Sequence, residues 1–463
     1  MLDLVLENCK IFGRDGSWSL GIKRGRIALV EEDIKEHTKS RKDMQGKLIT
    51  PGFVDSHTHL LLLGLEKTRV SLFSCKSLDE AVDRIRRESE GNRKIIIAYK
   101  WDESLWGSHE YLERKDIDFT EKPVIAYRRD GHMATLNSAA LRLVGKEASR
   151  DGILKEEELR LLDPLVDPDP VERKNALIEA QKDALSNGVT AVRDMVDRAT
   201  YDAYSRLENR IRIFRTVYDR EMFQGIGVNN GNDWGIKTFL DGSIGARTAA
   251  HEGWARKNLL MDDDQFDSLC RDIWSRNLPV AVHAIGEYAV GTAVRVLSRH
   301  SGRFRNSIEH FELMPDGVIE SMNHSIVVSS QPNFLEWAGR GGMYEDRLGR
   351  EWLNRNNTFR ELIDANIPLA FGSDSMPLGP LYGIHYAINS QFTNQRITIE
   401  EAIKCYTEGG AYLLGMENIM GKIEEGYLAD FAVFENDLSK ETGSIKNIKP
   451  VATVVDGRFV FGS

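Results

Sequence analysis

From Gly52 onward, short apolar runs alternate with longer stretches whose apolar residues recur at helical spacing. The runs are GFVDSH, VTAVRDM, IRIFRTVY, GIKTFLD, PVAVHAI, NSIEHF, SIVVSSQ and IPLAFGSD. A strand buried on both faces reads as a nearly continuous apolar run, and alternation of such runs with helices is the pattern of repeated βα units around a parallel sheet. The intervening segments carry helix punctuation. DPVERKNALIEAQKDALSNG stops at Gly188, and TIEEAIKCY opens with Thr398 and Glu401 at capping-box spacing. Eight units predict an α/β protein built on a (β/α)8 TIM barrel.

Two departures from this rhythm divide the chain. More than a hundred residues separate the first run from the second, and they hold their own strand-like KIIIAYKW and KPVIAYRR and a capped helix beginning at Ser77. Residues of about 66–170 are therefore expected to form an inserted α/β subdomain over the barrel mouth, where βα loops emerge. Both ends of the chain are rich in short β-like runs separated by Gly and Asp turns, among them DLVLENCKIF, WSLGIKRGRIALV, YLADFAVFE and VATVVDGRFVFG. Residues 1–50 and 421–463 are expected to pair into a small β-sandwich beside a barrel spanning 51–420.

Composition narrows the class. The chain has 463 residues, 41% hydrophobic and 29% charged, with a formal net charge of −10, and it lacks the basic face that nucleic acid or an anionic membrane requires. Cys9, Cys75, Cys270 and Cys405 are scattered, with no Cys-x-x-Cys spacing and no sign of a disulfide framework. The opening MLDLVLENCKIFG lacks a basic stretch and reads as a strand rather than a signal peptide, and no apolar run approaches a membrane span. A cytoplasmic protein acting on a small molecule is the expectation.

The candidate chemistry lies at the ends of the runs. In an extended segment residues i and i+2 point the same way, so His57 and His59 of VDSHTHL can grip one object, and neutral imidazole is the commonest protein ligand for zinc-like metals. Lys237 lies in the fourth run, His283 ends the fifth, His310 the sixth and Asp374 the eighth. Singly, the bland reading prevails for each: His283 as a core histidine, His310 as a polar strand end and Lys237 as an inward lysine paired with a carboxylate. Together they converge on the rim where barrel enzymes keep their active sites, which indicates a metal centre.

PGFVDSHTHL, GIKTFLDGSIGARTA, VHAIGE, IEH, SQPNF, FGSD and GKIEEGYLADFAVF make nearly the whole chain resemble the amidohydrolase superfamily of metal-dependent hydrolases, most closely the branch containing N-substituted formamide deformylases. The resemblance implies one or two divalent ions, zinc being the expected metal. His57 and His59 would bind one, His283 and His310 a second, an N-carboxylated Lys237 would bridge them, and Asp374 would be both ligand and proton carrier. It further implies cleavage of an amide-like, N-acyl or N-formyl C–N bond by a metal-activated hydroxide, formed because bound water has its pKa lowered to about 7. A homodimer is compatible, since related barrels often pair.

Substrate-facing candidates are Trp101, His132, Arg247, Gln331 and Phe334, with Trp337 and Tyr344 as further parts of an apolar wall. His132 follows a DG turn and is the candidate to bind a substrate or transition-state oxygen. Asn137 reads as a helix cap or a substrate contact, and Arg247 as a substrate anchor or a loop brace. Many relatives carry histidine where this chain has Phe334, which favours a more apolar substrate. The alternatives are a deaminase or cyclic-amide hydrolase on the same barrel, for which one metal suffices, and a non-catalytic scaffold, which should have lost ligands that are all filled here.

Overall fold

The computed structural model describes residues 1–218, 233–254, 258–300 and 304–462. Each of the eight apolar runs is a strand: β1 (Phe53–Thr58), β2 (Val189–Val196), β3 (Arg212–Val217), β4 (Asp233–Phe239), β5 (Val280–Ala284), β6 (Ser307–His310), β7 (Val327–Ser330) and β8 (Leu369–Phe371). They pair in parallel and in chain order, giving a nearly closed eight-stranded barrel. All eight residues of β2 are buried, as expected of a strand covered on both faces. β8 and β1 share no strand ladder. Their seam is closed instead by the Asp374 N–H donating to the His57 carbonyl at 2.8 Å and by the Ser373 N–H and hydroxyl donating to the Asp55 carboxylate.

The helix signals hold. Pro170–Ser186 starts with the Asp169 carboxylate accepting from the Val171 and Glu172 N–H groups, and the chain turns out of it at Gly188, whose φ is +77°. Ile399–Lys404 has the full Thr398/Glu401 capping box.

Between β1 and β2 lies a separate five-stranded sheet ordered Ile153–Lys155, Met133–Leu136, Val124–Arg128, Ile96–Trp101 and Val70–Ser71. Only its two longest strands announce themselves in the sequence, because strands of two to four residues carry too little alternation to detect. The chain ends do share a sheet. Leu48–Pro51 pairs antiparallel with Phe431–Phe434, placing Ile49 opposite Val433. These terminal strands form one connected path, from Arg458–Gly462 through to Arg26–Glu31, with Arg41–Asp43 beside Leu4–Ile11.

Candidate active site

The C-terminal rim of the barrel gathers a row of imidazoles. Ring centroids lie 5.5 Å apart between His59 and His57, 4.9 Å between His57 and His310, 4.5 Å between His310 and His283, and 5.4 Å between His283 and His132. His57 is the fifth residue of β1, and His59 is the N-cap of the helix Leu60–Thr68, so the strand-to-helix switch turns both rings toward the mouth. Their Nε2 atoms lie 3.6 and 3.2 Å from Asp374 Oδ1. Ligand atoms of His57, His310 and Asp374 all lie within 4.8 Å of one another, close enough to share one ion.

Three of these rings are locked from behind. His57 Nδ1–H donates to Glu309 Oε2 at 2.5 Å, His310 Nδ1–H to Gln331 Oε1 at 2.6 Å, and His283 Nε2–H to the Gly242 carbonyl at 3.0 Å. Each bond spends one ring nitrogen as donor and leaves the other with a free lone pair, the arrangement that orients metal-binding histidines. Burial first, and then the positive charge of neighbours including Lys237, holds His57, His283 and His310 well below the ordinary imidazole value, so they stay neutral. Lys237 on β4 is buried among them. Burial lowers its ammonium to about 8 against the pull of Glu309 and Asp374, so the neutral amine is far more accessible near neutral pH than in an ordinary lysine. Neutral imidazoles, a carboxylate and a readily deprotonated lysine fit a divalent cation.

Asp374 sits in a turn that the rest of the molecule clamps. Asp374 and Ser375 both have left-handed φ, +51° and +57°. Ser375 Oγ lies 2.9 Å from the Thr58 hydroxyl and accepts from His59 N–H, while Lys100 Nζ donates to the Ser375 carbonyl at 2.6 Å. Asn333 donates to the carbonyls of Ser373 and Met376, and Arg129 donates to the latter from the inserted sheet. Two successive non-glycine residues in this conformation cost free energy, which these bonds offset.

Above the imidazoles lies a narrow recess lined by His132, His283, His310 and Asp374 and walled by Phe334, Trp337, Met343 and Tyr344. The Phe334 ring stacks 6.0 Å from that of His310. His132 reaches the recess from the insertion. Burial opposes its charge, but Glu156, 2.9 Å from Nδ1, and Asp130 raise it to about 9. A wider cleft behind the Asp374 turn is lined by charged groups already paired with one another or with neighbours, such as Lys100 with Glu66 and Arg69 with Glu172.

Several expected substrate contacts are placed elsewhere. Trp101 packs in the core of the insertion against Trp106 and Tyr111, its indole N–H donating to the Ala126 carbonyl, and does not line the recess. An apolar residue in a strand looks the same in sequence whether it walls a pocket or fills a core. Arg247 is half exposed, 3.7 Å from Asp346, and also lies off the recess lining. Gln331 is buried behind His310. Asn137 caps the helix Ser138–Leu143 and also accepts from Val124 N–H.

Sequence reading missed the support beneath the imidazoles. Glu309 and Arg193 are fully buried and joined at 2.5 Å, and Arg193 also donates to the Ser56 carbonyl and the Ser307 hydroxyl. The signal was present as a charged residue inside each of two apolar runs, VTAVRDM and NSIEHF. The Asp241 carboxylate, accepting the N–H groups of Ala250, Ile285 and Gly286, was missed as well; burial pushes it up to about 7. So was Glu312, on the recess wall, which burial also pushes up to about 7.

Residues 42–461 match the model of the amidohydrolase family. The chain is 27% identical over 480 residues to YtcJ of Bacillus subtilis (strain 168), covering 90% of each. It is 23% identical to imidazolonepropionase of Vibrio vulnificus (strain CMCP6), covering 99% of this chain and 98% of that one, and 23% identical to N-substituted formamide deformylase of Arthrobacter pascens, with the same coverage. The crystal structure of an uncharacterized metal-dependent hydrolase from Pyrococcus furiosus superposes with a TM-score of 0.74 at 27% identity, covering 94% of this chain and 99% of that one. The chain belongs to the amidohydrolase family. It is a hydrolase, and its barrel is that of metal-dependent relatives.

Proposed function

We propose that the protein is a metal-dependent hydrolase of a non-peptide C–N bond, cleaving an N-acyl or N-formyl amine in the manner of the formamide deformylase relative. The observation that carries this reading is the row of imidazoles whose rear nitrogens are spent on Glu309, Gln331 and Gly242, with ligand atoms of His57, His310 and Asp374 all within 4.8 Å of one another. His57, His59, His283, His310, Asp374 and an N-carboxylated Lys237 would hold the cation, with zinc the preferred ion. When bound, such an ion acidifies water and polarises a carbonyl.

The remaining steps belong to the chain. Asp374, fixed in its turn with Oδ1 between His57 and His59, accepts the proton of the attacking water and returns it to the leaving nitrogen as the C–N bond breaks. His132, held charged by Glu156, donates to the carbonyl oxygen as negative charge develops there. Phe334, Trp337 and Met343 exclude water and hold the apolar part of the substrate. Gln331 acts through His310 rather than on substrate.

A second reading, a deaminase or cyclic-amide hydrolase using one ion, is favoured by the tight trio of His57, His310 and Asp374. Metal analysis of the purified protein alongside turnover of N-formyl amines, N-acyl amines and cyclic amides separates the two. Two ions per chain, with release of formate or a carboxylate from the open-chain amides, supports the first reading. One ion with activity on ring substrates alone replaces it. Alongside this reading we propose a cytoplasmic location, with a homodimer compatible, and domains at 1–50 plus 421–463 and at 51–420, the insertion running over about 66–170.

A further inference from the structure

Among the acidic groups around the recess, Glu312 is set apart by its lack of a cation. Asp130 lies 2.9 Å from Arg128, Glu103 is held by Arg128 and Arg347, and Asp374 belongs to the proposed ion site beside His57 and His59. Glu312 is 2% exposed and lines the recess, yet among the described residues no basic side chain approaches it within ion-pair distance. Its Oε2 accepts the Tyr344 hydroxyl, and the Asn357 side chain is a second neutral donor. The two positive groups that share the recess are already committed. Arg128 makes a two-bond pair with Glu103, both bonds at 2.9 Å, and His132 is paired with Glu156. A buried carboxylate without a cation is costly, and a protonated nitrogen entering from solvent would supply the missing charge. Tyr344, Trp337 and Phe334 line the approach with aromatic rings, surfaces that tolerate both an alkyl chain and a cation.

Resting on the reading of this recess as the substrate site, we propose that Glu312 selects substrates whose N-substituent is an apolar chain ending in a protonated nitrogen, an ammonium or amidinium. The wall holds the chain, and the carboxylate takes the charged end while the amide lies under the imidazoles.

Two probes of matched length test this on the metal-loaded full chain: N-formylcadaverine, with a terminal ammonium, and N-formylpentylamine, without one. The expected ratio of kcat/KM favours the charged probe by about 10–100-fold, the worth of a charge-assisted hydrogen bond in a desolvated site, and Glu312→Gln brings that ratio toward unity. A wild-type ratio at or below one, or a ratio unmoved in Glu312→Gln, overturns the proposal. Should the variant not fold, the wild-type ratio decides alone. Calorimetric binding of pentylamine, which is protonated at neutral pH, and of neutral pentan-1-ol to wild type and Glu312→Gln separates this inference from the reaction class. Preferential binding of pentylamine that is lost in Glu312→Gln, with neither formyl probe hydrolysed, keeps the recognition and rejects the deformylase reading. Equal binding of the amine and the alcohol to wild type rejects the recognition even where hydrolysis occurs.

Discussion

Glu309 brings a full negative charge into the barrel beneath the imidazoles. Burial alone would raise its carboxyl, but Arg193 and then Lys237 outweigh it and hold it below the ordinary value, so it is ionised at neutral pH. That charge fixes the His57 tautomer and strengthens its free nitrogen as a ligand. Glu309→Gln should lower metal affinity about 10–100-fold, read by competition with a chromogenic chelator. It should also destabilise the metal-free protein by about 3–5 kcal/mol in denaturant unfolding, because Arg193 is left buried without its partner. Unchanged metal affinity would show that Glu309 serves stability alone. Asp374→Asn keeps a ligand oxygen but cannot accept a proton, so turnover should fall about 10²–10⁴-fold with metal still bound. Near-normal turnover in that variant would remove Asp374 from proton transfer.

At the scale of elements, the inserted sheet is part of the site, since it supplies His132 and also grips the turn that carries Asp374. Lys100 has left-handed φ, +68°, and this bend in its strand accompanies its reach to the Ser375 carbonyl. Lys100→Met should lower kcat about 10-fold or more while metal content stays constant, because a small misplacement of a reacting group is costly; a fall in metal content in step with kcat would instead mean that the turn seats the ion. The capping box at Ile399–Lys404 gives a second element-scale expectation. Thr398→Ala should cost about 1 kcal/mol of unfolding free energy. Burial would raise the Glu401 carboxyl, but the Thr398 N–H and Arg360 bonds outweigh it and keep it below its ordinary value near 4.5. A depressed folded value stabilises above the unfolded one, so this contribution is full at neutral pH and disappears as acid protonates Glu401. Wild type and Glu401→Gln should therefore draw together in stability as pH falls from neutral through the ordinary value of 4.5 and on through the lower folded one.

Legibility follows these same scales. All eight barrel strands are readable because burial on both faces leaves a continuous apolar run, and the ring-bearing residues are readable because they stand where those runs stop. Capping boxes are local and so survive in a single stretch of sequence. Glu309, Arg193 and Glu312 are not readable in their roles, since a charge within or just beyond a strand says nothing about which residue a hundred positions away it faces. Trp101 fails for a related reason. Its strand is found correctly, but which side of the inserted sheet meets the recess depends on how that sheet sits over the barrel, and no local pattern records this.

For the whole molecule, the critical place is where the barrel closes on itself. β8 meets β1 without a ladder, and the three bonds linking Ser373 and Asp374 to Asp55 and His57 do two jobs at once: they complete the cylinder and set a proposed base against a proposed ligand. Closure at this spacing requires that Gly372 have no side chain, since a Cβ there would lie 2.5 Å from the His57 amide nitrogen and 2.9 Å from its Cβ. Neither neighbour is a flexible chain end, so Gly372→Ala must push the two strands apart. Overpacking of this kind costs about 1–3 kcal/mol, and here the displacement falls directly on His57 and Asp374. Gly372→Ala should thus lose metal and stability together, measured by metal content and denaturant unfolding on the same preparation. Gly443→Ala is the matched control, because its added Cβ would meet nothing within 4 Å, and it should stay within about 0.5 kcal/mol of wild type. A Gly372→Ala protein that is less stable yet binds metal normally would separate barrel closure from the geometry of the site. Joint loss would establish that one contact between the first and last strands builds both.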